Sequence, residues 1–322
     1  MKNLFKNKRI LVAGGSGLVG TNLLIKLIEL KSKVIASYKS RIQEKKLRKY
    51  YYKFDFTKIR DCILATKNRD IVFICAVQGS GIKGLKDYST NLLSSNILIR
   101  SNLIESCKIN KVKNIIWVSS STIYQPSNKK IKENNLNLNI DPYPIYQGVG
   151  WVYRYLEKLF LYYKKTEKMN IKIIRTTSIY GPYDNFDNNK SHVIPALIKK
   201  VFLRKKYLEV WGNKKIVRDF VYVEDLVNTM LRITFNKKIS APINFSSGTP
   251  ITILDIAKKI LKISRENKKI IFKFFGRSSA NYRVLDNEKI NKLIKNLKRT
   301  NLNSGLKNTI EWYKKQFNNF SK

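Results

Sequence analysis

Glycines near the start of the chain are spaced as in a loop that binds a dinucleotide. The apolar run 9–13 passes directly into Gly14-Gly15-Ser16-Gly17-Leu18-Val19-Gly20, a G-x-x-G-x-x-G pattern that opens a helical stretch. Glycines allow the backbone to approach a pyrophosphate, and the free N–H groups of a helix N-terminus stabilise its charge. We therefore expect a dinucleotide site in this loop. Its candidate residues are Gly14, Gly17, Leu18, Val19 and Gly20.

Basic residues follow the second apolar run, at the position that distinguishes NAD from NADP. The sequence there reads Ser37-Tyr38-Lys39-Ser40-Arg41. An acidic residue at this point would repel the 2′-phosphate of NADP, whereas a basic residue would pair with it. We therefore expect NADP(H) to be favoured over NAD(H), with Lys39 and Arg41 as contacts. Asp55 and Phe56, after the next apolar run, are candidates for contact with adenine, unless Asp55 is only a turn residue.

Apolar runs of two lengths alternate along the first half of the chain. Short runs rich in β-branched residues predict buried parallel strands, and longer amphipathic runs predict the helices that connect them. The short runs are 9–13, 33–37, 70–77, 114–119 and 171–176, and the long runs are 19–30, 90–108 and 148–165. This alternation predicts an α/β fold with a doubly wound parallel sheet.

The pattern changes after Gly181-Pro182. Short mixed elements follow, with helical stretches at 253–263 and near 306–317. We therefore expect a Rossmann-like, NAD(P)-binding domain over residues 1–180 and a smaller mixed α/β lobe over residues 181–322. Some helices and strands of this lobe are expected to return to the first domain.

Composition and charge limit the classes of protein to which this chain can belong. The chain has 322 residues, of which 43% are hydrophobic, enough to bury a large core. A net charge of +42 raises the question of a nucleic-acid or membrane-surface partner. However, the lysines are scattered through every segment, and no zinc-finger spacing or helix-turn-helix pattern accompanies them. We therefore expect neither nucleic acid nor membrane as a partner.

The three cysteines, Cys62, Cys75 and Cys107, have no C-x-x-C spacing. Their odd number and spacing favour neither disulfides nor a structural zinc site, and no metal is expected. No apolar run approaches the length of a membrane span. These features together predict a cytoplasmic protein.

Several segments, taken in order, resemble the extended short-chain dehydrogenase/reductase family, the NAD-dependent epimerase/dehydratases of nucleotide sugars. They are the glycine loop, the stretch 70–76, Val118-Ser119-Ser120-Ser121-Thr122-Ile123-Tyr124, Tyr180-Gly181-Pro182 and Arg218-Asp219-Phe220-Val221-Tyr222-Val223-Glu224-Asp225. The resemblance covers nearly the whole chain. Within the family, the stretch 179–197 looks most like the GDP-L-fucose synthase branch, whose members epimerise and reduce a keto-deoxy nucleotide sugar.

The resemblance implies roles for residues near the strand ends. Ser120 matches a catalytic serine, and Thr122 stands where the fucose synthases have a catalytic cysteine, which is a far stronger acid. His192, the only histidine of the chain, matches an acid/base of epimerisation and would otherwise be a structural residue. Its ordinary pKa near neutrality suits the catalytic role. Ala76 and Asn96 are implied as further cofactor contacts.

The resemblance also places a nucleotide-linked sugar in the cleft with the C-terminal lobe. Trp211 and Arg218 match positions that contact the nucleotide diphosphate, and a guanidinium can pair with phosphate oxygens bidentately. Lys200 and either Arg277 or Arg283 could add positive charge, although Lys200 could equally be a surface lysine. The full set of candidate substrate contacts is Ser178, Asn185, His192, Val193, Lys200, Trp211, Arg218 and Arg277.

The family places a Tyr-x-x-x-Lys motif on the helix after the serine strand, and this chain lacks it. The tyrosine donates a proton, and the lysine one turn later lowers the tyrosine pKa. The favoured register puts Val149 at the tyrosine and Tyr153 at the lysine. A second register puts Tyr143 at the tyrosine and Gln147 at the lysine, but needs compensating length changes on both sides.

Three interpretations follow from the missing pair. The first is an NAD(P)-dependent nucleotide-sugar oxidoreductase or epimerase with non-standard catalytic residues, in which Tyr146 or Tyr153 donates the proton. The second is an inactive homologue that binds NADP and nucleotide sugar as a regulatory or partner subunit. The third, a nucleic-acid binder on a borrowed fold, is the least favoured. The resemblance further implies a homodimer formed through helices that include residues 148–165.

Overall fold

The computed structural model describes residues 2–79, 90–187, 191–273 and 280–317. The strands are β1 (Arg9–Ala13), β2 (Lys33–Tyr38), β3 (Tyr51–Lys53), β4 (Ile71–Ile74), β5 (Asn114–Ser120), β6 (Asn170–Thr176), β7 (Ser178–Tyr180), β8 (Tyr207–Trp211), β9 (Val217–Arg218), β10 (Phe220–Tyr222), β11 (Ile243–Phe245), β12 (Ile251–Thr252), β13 (Lys269–Lys273) and β14 (Tyr282–Arg283). The helices are α1 (Lys2–Phe5), α2 (Leu18–Glu29), α3 (Ile59–Thr66), α4 (Thr90–Ile109), α5 (Gln147–Thr166), α6 (Val193–Val201), α7 (Val223–Ile233), α8 (Ile253–Ser264), α9 (Glu288–Leu293) and α10 (Leu302–Phe317).

Seven parallel strands form the central sheet, in the order β11-β6-β5-β4-β1-β2-β3. All four side chains of β4 are buried, which is typical of a strand covered by helices on both faces. On β1, Ile10 and Val12 pack with residues of α2 and α7, whereas Leu11 and Ala13 pack with residues of α3, α4 and α5. The doubly wound parallel sheet predicted from the sequence is confirmed.

The carboxyl ends of the strands meet at one edge of this sheet. Ala13 of β1 is in register with Ile74 of β4, and Ser120 of β5 is in register with Thr176 of β6. The loops that follow these strands therefore begin side by side. Parallel sheets bind their ligands at this edge, next to the point where the strand order reverses.

A buried ion pair fixes α5 against β5 and β6. Arg175 Nη2 lies 2.7 Å from Glu157 Oε2, and both side chains are almost fully buried. Ser119 Oγ donates to Glu157 Oε1 at 2.6 Å, and Arg175 Nη1 donates to the hydroxyl of Tyr124 at 2.8 Å. A buried pair whose remaining atoms are hydrogen-bonded holds its elements in one geometry. This network therefore positions α5 beside the end of β5.

The C-terminal elements build a separate apolar cluster from α6, α8, α10, β8 and β10. Two other elements from this half return to the central sheet: β11 pairs with β6 at its edge, and α7 packs on α2. Such a return was expected from the sequence. The boundary at residue 180 stays a prediction.

Within the described ranges, none of the helices combines the length and the apolar character needed to cross a bilayer. The same ranges contain no cluster of three or more histidine, cysteine, aspartate or glutamate side chains suited to a metal ion. Cys62, Cys75 and Cys107 are all free thiols.

Candidate active site

The glycine loop after β1 is packed too tightly for side chains. A Cβ built on Gly14, whose φ is +84°, would lie 2.5 Å from the backbone of Ala76. A Cβ on Gly20 would lie 2.1 Å from the carbonyl oxygen of Gly14. Glycine is needed where φ is positive or two backbones approach this closely. The loop thus brings Gly14 and Ala76 together, as expected for the cofactor residues.

The N-terminus of α2 offers unpaired N–H groups at the same place. Gly17 is the N-cap and provides no side-chain cap, and Leu18 and Val19 are the first helical residues. The first turn carries no acidic residue. Such a terminus binds a phosphate through its free N–H groups and the helix dipole. The cradle fits the pyrophosphate of a dinucleotide.

The basic segment after β2 is only partly available to a ligand. Lys39 Nζ lies 3.2 Å from Asp55 Oδ2 in a solvent-exposed ion pair, and Arg41 is exposed. Phe56 does not match its predicted contact with adenine, because its side chain is 5% exposed and packs in the core. Arg41 is therefore the more accessible candidate for a 2′-phosphate.

Asn96 does not point freely into the cofactor site. Its side chain is buried, its Oδ1 accepts from the N–H of Gln78 at 3.1 Å, and its Nδ2 donates to the carbonyl of Gln78 at 2.8 Å. Arg100 Nη1 also donates to its Oδ1. We therefore correct its predicted role: Asn96 holds the loop after β4 rather than contacting the cofactor.

Ser120 and Thr122 face each other at the end of β5. The Thr122 hydroxyl donates to Ser120 Oγ at 3.0 Å, and the Thr122 N–H also donates to it at 3.2 Å. Ser120 accepts both bonds, so its own hydroxyl proton remains available to a substrate oxygen. A Cβ on Gly150 would lie 2.6 Å from the Thr122 carbonyl oxygen and from Pro142, so the start of α5 packs on this turn.

Tyr153, predicted as a possible proton donor, is placed in the hydrophobic core. It is 6% exposed, its ring stacks on Trp117 at 5.7 Å, and its hydroxyl accepts from Arg100 Nη2 at 2.8 Å. Val149, one turn earlier, packs against the same cluster. Residues four apart share a helix face, and this face packs on the hydrophobic core. This burial argues against the register that placed these two residues at the catalytic pair.

Tyr143, from the second register, lies in the cleft instead. It is half-buried directly before the 3₁₀ turn Pro144–Tyr146, and α5 starts at Gln147. The Tyr143 hydroxyl acts electrostatically on Arg218, and the ring of Tyr143 lies 6.5 Å from that of Tyr146. The side chain of Gln147 is engaged by a neighbouring residue, because its Nε2 donates to Asp141 Oδ2 at 3.2 Å.

His192 is the N-cap residue of α6, and its side chain is exposed along the cleft. Crowding by the surrounding protein lowers the pKa of His192, and the nearby charge of Arg283 acts in the same direction. The imidazole is therefore neutral at pH 7 and able to accept a proton.

Two guanidiniums stand side by side, and one of them, Arg283, acts electrostatically on His192. Arg218 of β9 and Arg283 of β14 are register partners on adjacent parallel strands. Burial lowers the pKa of Arg218 to about 10, and the like charge of Arg283 adds to this. Nε and Nη1 of Arg283 are buried without a hydrogen-bond partner among the described residues. A pair of adjacent guanidiniums fits a doubly charged anion such as a diphosphate, and the two donors of Arg283 could pair with its oxygens.

Lys200 and Trp211 lie together at the end of β8. Lys200 Nζ is 4.5 Å from the centre of the Trp211 ring, and Trp211 Nε1 donates to Glu209 Oε1 at 2.6 Å. Lys200 also lies 3.6 Å from Glu209 Oε1. Because Glu209 offsets its charge, Lys200 supports the Trp211 ring more than it attracts an anion.

Three of the remaining predicted substrate contacts lie among the described residues, and one does not. Ser178 of β7 is half-buried, and Asn185 Oδ1 accepts from the N–H of Asp187 in a local turn. Val193 packs on the apolar cluster of the C-terminal elements. Arg277 lies outside the described residues. Sequence reasoning named Arg283 only as an option, although it stands beside Arg218.

The sequence profile of the NAD dependent epimerase/dehydratase family matches residues 10–245. The chain belongs to this family. Among its curated relatives in the epimerase/dehydratase family, it is 26% identical over 321 residues to GDP-L-fucose synthase of Dictyostelium discoideum, an alignment that covers 97% of each chain. It is 25% identical over 318 residues to GDP-mannose 3,5-epimerase of Arabidopsis thaliana, with 97% of this chain and 83% of that one covered.

Solved structures support the same fold for this epimerase/dehydratase. A GDP-6-OMe-4-keto-L-xylo-heptose reductase from C. jejuni superposes with a TM-score of 0.84 at 22% identity, covering 96% of this chain and 98% of the other. UDP-glucose 4-epimerase of Thermotoga maritima superposes with a TM-score of 0.83 at 23% identity, covering 96% and 99%. The Rossmann-like fold is therefore shared with enzymes that are named for GDP-linked and for UDP-linked sugars.

Proposed function

We propose that this chain is an NAD(P)-dependent epimerase or reductase of a nucleoside-diphosphate-linked keto sugar. The observation that carries the proposal is the pair Arg218 and Arg283, of which Arg283 acts on His192, because it combines an anion site with a neutral acid/base. A diphosphate on the two arginines would leave the attached sugar near His192 and the strand ends. The names of the relatives favour a GDP-linked substrate such as GDP-4-keto-6-deoxymannose.

The roles of the chain's own residues follow from their positions. Tyr143 donates a proton to the sugar oxygen at the reduced carbon, and Ser120 donates a hydrogen bond to the same oxygen. His192 removes and returns a proton at the carbon next to the ketone. Thr122 orients Ser120 and does not act as an acid itself. The nicotinamide, when bound, supplies the hydride.

A second candidate function, a binding subunit without turnover, is favoured by one observation. Gln147 stands one turn after Tyr143, where the family has its lysine, and a neutral amide does not lower the pKa of a tyrosine. Such a subunit would bind NADP and nucleotide sugar through the intact glycine loop and the arginine pair. It would release both unchanged.

One set of measurements separates these functions. NADPH and GDP binding are measured by calorimetry, NADPH oxidation with GDP-4-keto-6-deoxymannose by absorbance, and epimerisation by uptake of solvent deuterium into the sugar. Oxidation of NADPH supports the enzyme. Deuterium uptake into the sugar supports it as well, provided that the uptake is abolished in His192→Asn. Binding of both ligands without either reaction supports the binding subunit. If neither NADPH nor GDP binds, both proposals fail.

We further propose that NADPH is the preferred cofactor and that Arg41 holds its 2′-phosphate. Removing a charge-assisted hydrogen bond costs about ten- to a hundredfold in affinity. Arg41→Ala is therefore expected to raise the Kd of NADPH by that factor and to leave the Kd of NADH unchanged. Arg60→Ala removes an exposed charge from α3 and is the matched control. An equal loss for both cofactors in Arg41→Ala would contradict the assignment.

We also propose a homodimer through α4 and α5. Large apolar side chains project from these two packed helices: Trp151, Tyr155 and Tyr162 are 40%, 54% and 66% exposed on one face of α5, and Leu98 of α4 is 45% exposed. An exposed aromatic stripe of this kind is typical of a protein interface. A second copy of the same surface would bury it by forming a four-helix bundle.

The double variant Tyr155→Glu/Tyr162→Glu is expected to convert the dimer to a monomer. Two carboxylates on each protomer would have to be buried against their symmetry mates, which is unfavourable without cationic partners. Light scattering after gel filtration gives the molar mass directly. Leu203→Glu, at a 43% exposed apolar residue of the C-terminal lobe, is the control and should leave the mass unchanged. A double variant with the wild-type mass would rule out this interface.

A further inference from the structure

Tyr146 lies against both cations of the proposed diphosphate site. It is 8% exposed, and the guanidinium carbon of Arg283 lies 4.7 Å from the centre of its ring. The ring of Tyr143 is 6.5 Å away. Both Arg283 and Arg218 act on the Tyr146 hydroxyl. A single phenol therefore contacts two arginines that come from different strands.

The two arginines need such a partner in the absence of a ligand. Their positions in register on adjacent strands bring two positive charges together in a buried place, where their repulsion is weakly screened. Among the residues that the structure describes, Nε and Nη1 of Arg283 have no acceptor, so the contact with the phenol leaves these two donors unused. The face of the Tyr146 ring and its oxygen both carry the partial negative charge that attracts a guanidinium.

We propose that Tyr146 is a positioning residue for the diphosphate: it holds Arg218 and Arg283 side by side, and in alkaline solution, where its hydroxyl ionises, it takes up a proton when a diphosphate binds to them. This inference rests on the proposed function, since it assigns the anion that occupies the arginine pair. In alkaline solution the phenolate oxygen of Tyr146 gains one proton from solvent as the phosphate oxygens take over its contacts with the guanidiniums.

The direction of this proton exchange follows from the charges. Burial acts to raise the pKa of Tyr146, but Arg283 and Arg218 outweigh it, so the pKa lies below its ordinary value. Phosphate charge beside the same arginines cancels their effect and raises the pKa again. Binding is thus tightest where Tyr146 is already protonated. It weakens as the pH rises through the pKa of the free protein, by up to about tenfold per pH unit.

Other charged or titratable side chains surround Tyr146. Among the described residues they are Arg218 on β9, Arg283 on β14, His192 before α6 and Tyr143 on its own segment. A diphosphate also favours the protonated forms of His192 and Arg218. The contribution of Tyr146 is therefore the difference between wild type and Tyr146→Phe, in which these other titrations cancel.

The first test reads the ionisation of Tyr146 directly. Tyrosinate absorbs in the near ultraviolet where tyrosine does not, and inorganic pyrophosphate is transparent there. We expect wild type to form one more tyrosinate than Tyr146→Phe at moderately alkaline pH, and pyrophosphate to suppress that extra absorbance. In Arg283→Gln the extra absorbance should move to higher pH, which keeps the test valid if the phenylalanine variant does not fold. Identical titrations of wild type and both variants would overturn the proposal.

The second test measures the Kd of GDP against pH by calorimetry. At neutral pH, Tyr146→Phe should bind GDP about tenfold more weakly than wild type, because the hydroxyl that holds the two arginines side by side before the ligand arrives is lost. In alkaline solution the difference should shrink or reverse, since only wild type carries a phenolate there. Tyr155→Phe is the control and should follow wild type. Parallel pH profiles of wild type and Tyr146→Phe would refute the inference alone, whereas failure of wild type to bind GDP would refute the proposed function.

Discussion

Replacing Arg218 and Arg283 together by glutamine is expected to weaken the binding of GDP by about 10²- to 10⁴-fold. Each arginine contributes charge-assisted hydrogen bonds to phosphate worth about 1.5 to 3 kcal/mol, and the two losses combine. The side chains are register partners on β9 and β14, so they act on the same ligand. Glutamine keeps the length and polarity of the site while removing its charge. Calorimetric titration with GDP gives the Kd.

An exposed arginine elsewhere on the protein serves as the control for a general effect of lost positive charge on GDP binding. Arg204→Gln removes an exposed charge from the C-terminal lobe and should leave the Kd of GDP unchanged. NADPH binding at the glycine loop should survive in the double variant, since that loop belongs to the opposite side of the cleft. If GDP bound the double variant as tightly as wild type, the diphosphate would lie elsewhere. A melting temperature close to that of wild type would show that the fold is intact.

Much of the fold could be predicted because the central strands are buried on both faces. A strand such as β4 must be apolar throughout, and that requirement shows in the sequence. The glycine loop could also be predicted, because a Cβ on Gly20 would lie 2.1 Å from the carbonyl oxygen of Gly14, six residues earlier. Such local constraints are set by residues close to one another along the chain.

Contacts between distant residues could not be predicted in the same way. Arg218 and Arg283 are 65 positions apart, and their pairing depends on the register of β9 and β14. Lys39 and Asp55 share an ion pair for a similar reason, since β2 and β3 bring their ends together. The charge of a site is set by such pairings. Sequence reasoning named the charged residues but did not determine which ones neutralise each other.

The sequence contains a local signal for the register that puts Tyr143, not Val149, at the tyrosine of the motif. Pro142 and Pro144 flank Tyr143, and proline is tolerated only at the first turn of a helix. Helix α5 accordingly starts at Gln147, so Tyr143 precedes it while Val149 and Tyr153 fall on its buried face. The apolar spacing of Val149, Tyr153, Leu156 and Phe160 was itself the pattern of a core-facing stripe.

Tyr143→Phe is expected to lower kcat by about 10²- to 10⁴-fold, the usual loss for a positioned general acid. The Kd of GDP should change little, because the diphosphate lies on the arginine pair. Tyr153→Phe provides the opposite pattern: turnover should persist, while the free energy of unfolding falls by about 1 to 3 kcal/mol, since buried Arg100 loses an acceptor. NADPH oxidation gives kcat and thermal denaturation gives stability. Loss of turnover in Tyr153→Phe but not in Tyr143→Phe would restore the register that the structure argues against.

Gln147→Lys tests whether a cation one helical turn after Tyr143 controls its action as a proton donor. A lysine one turn after Tyr143 would lower the pKa of that tyrosine and raise turnover near neutral pH. In an active enzyme that relies on other cations, the gain should be modest and the wild type should already oxidise NADPH. In a binding subunit, turnover should appear only in Gln147→Lys and vanish again in Tyr143→Phe/Gln147→Lys. The starting activity of the wild type therefore decides between the two functions, and the double variant shows that any acquired activity depends on Tyr143.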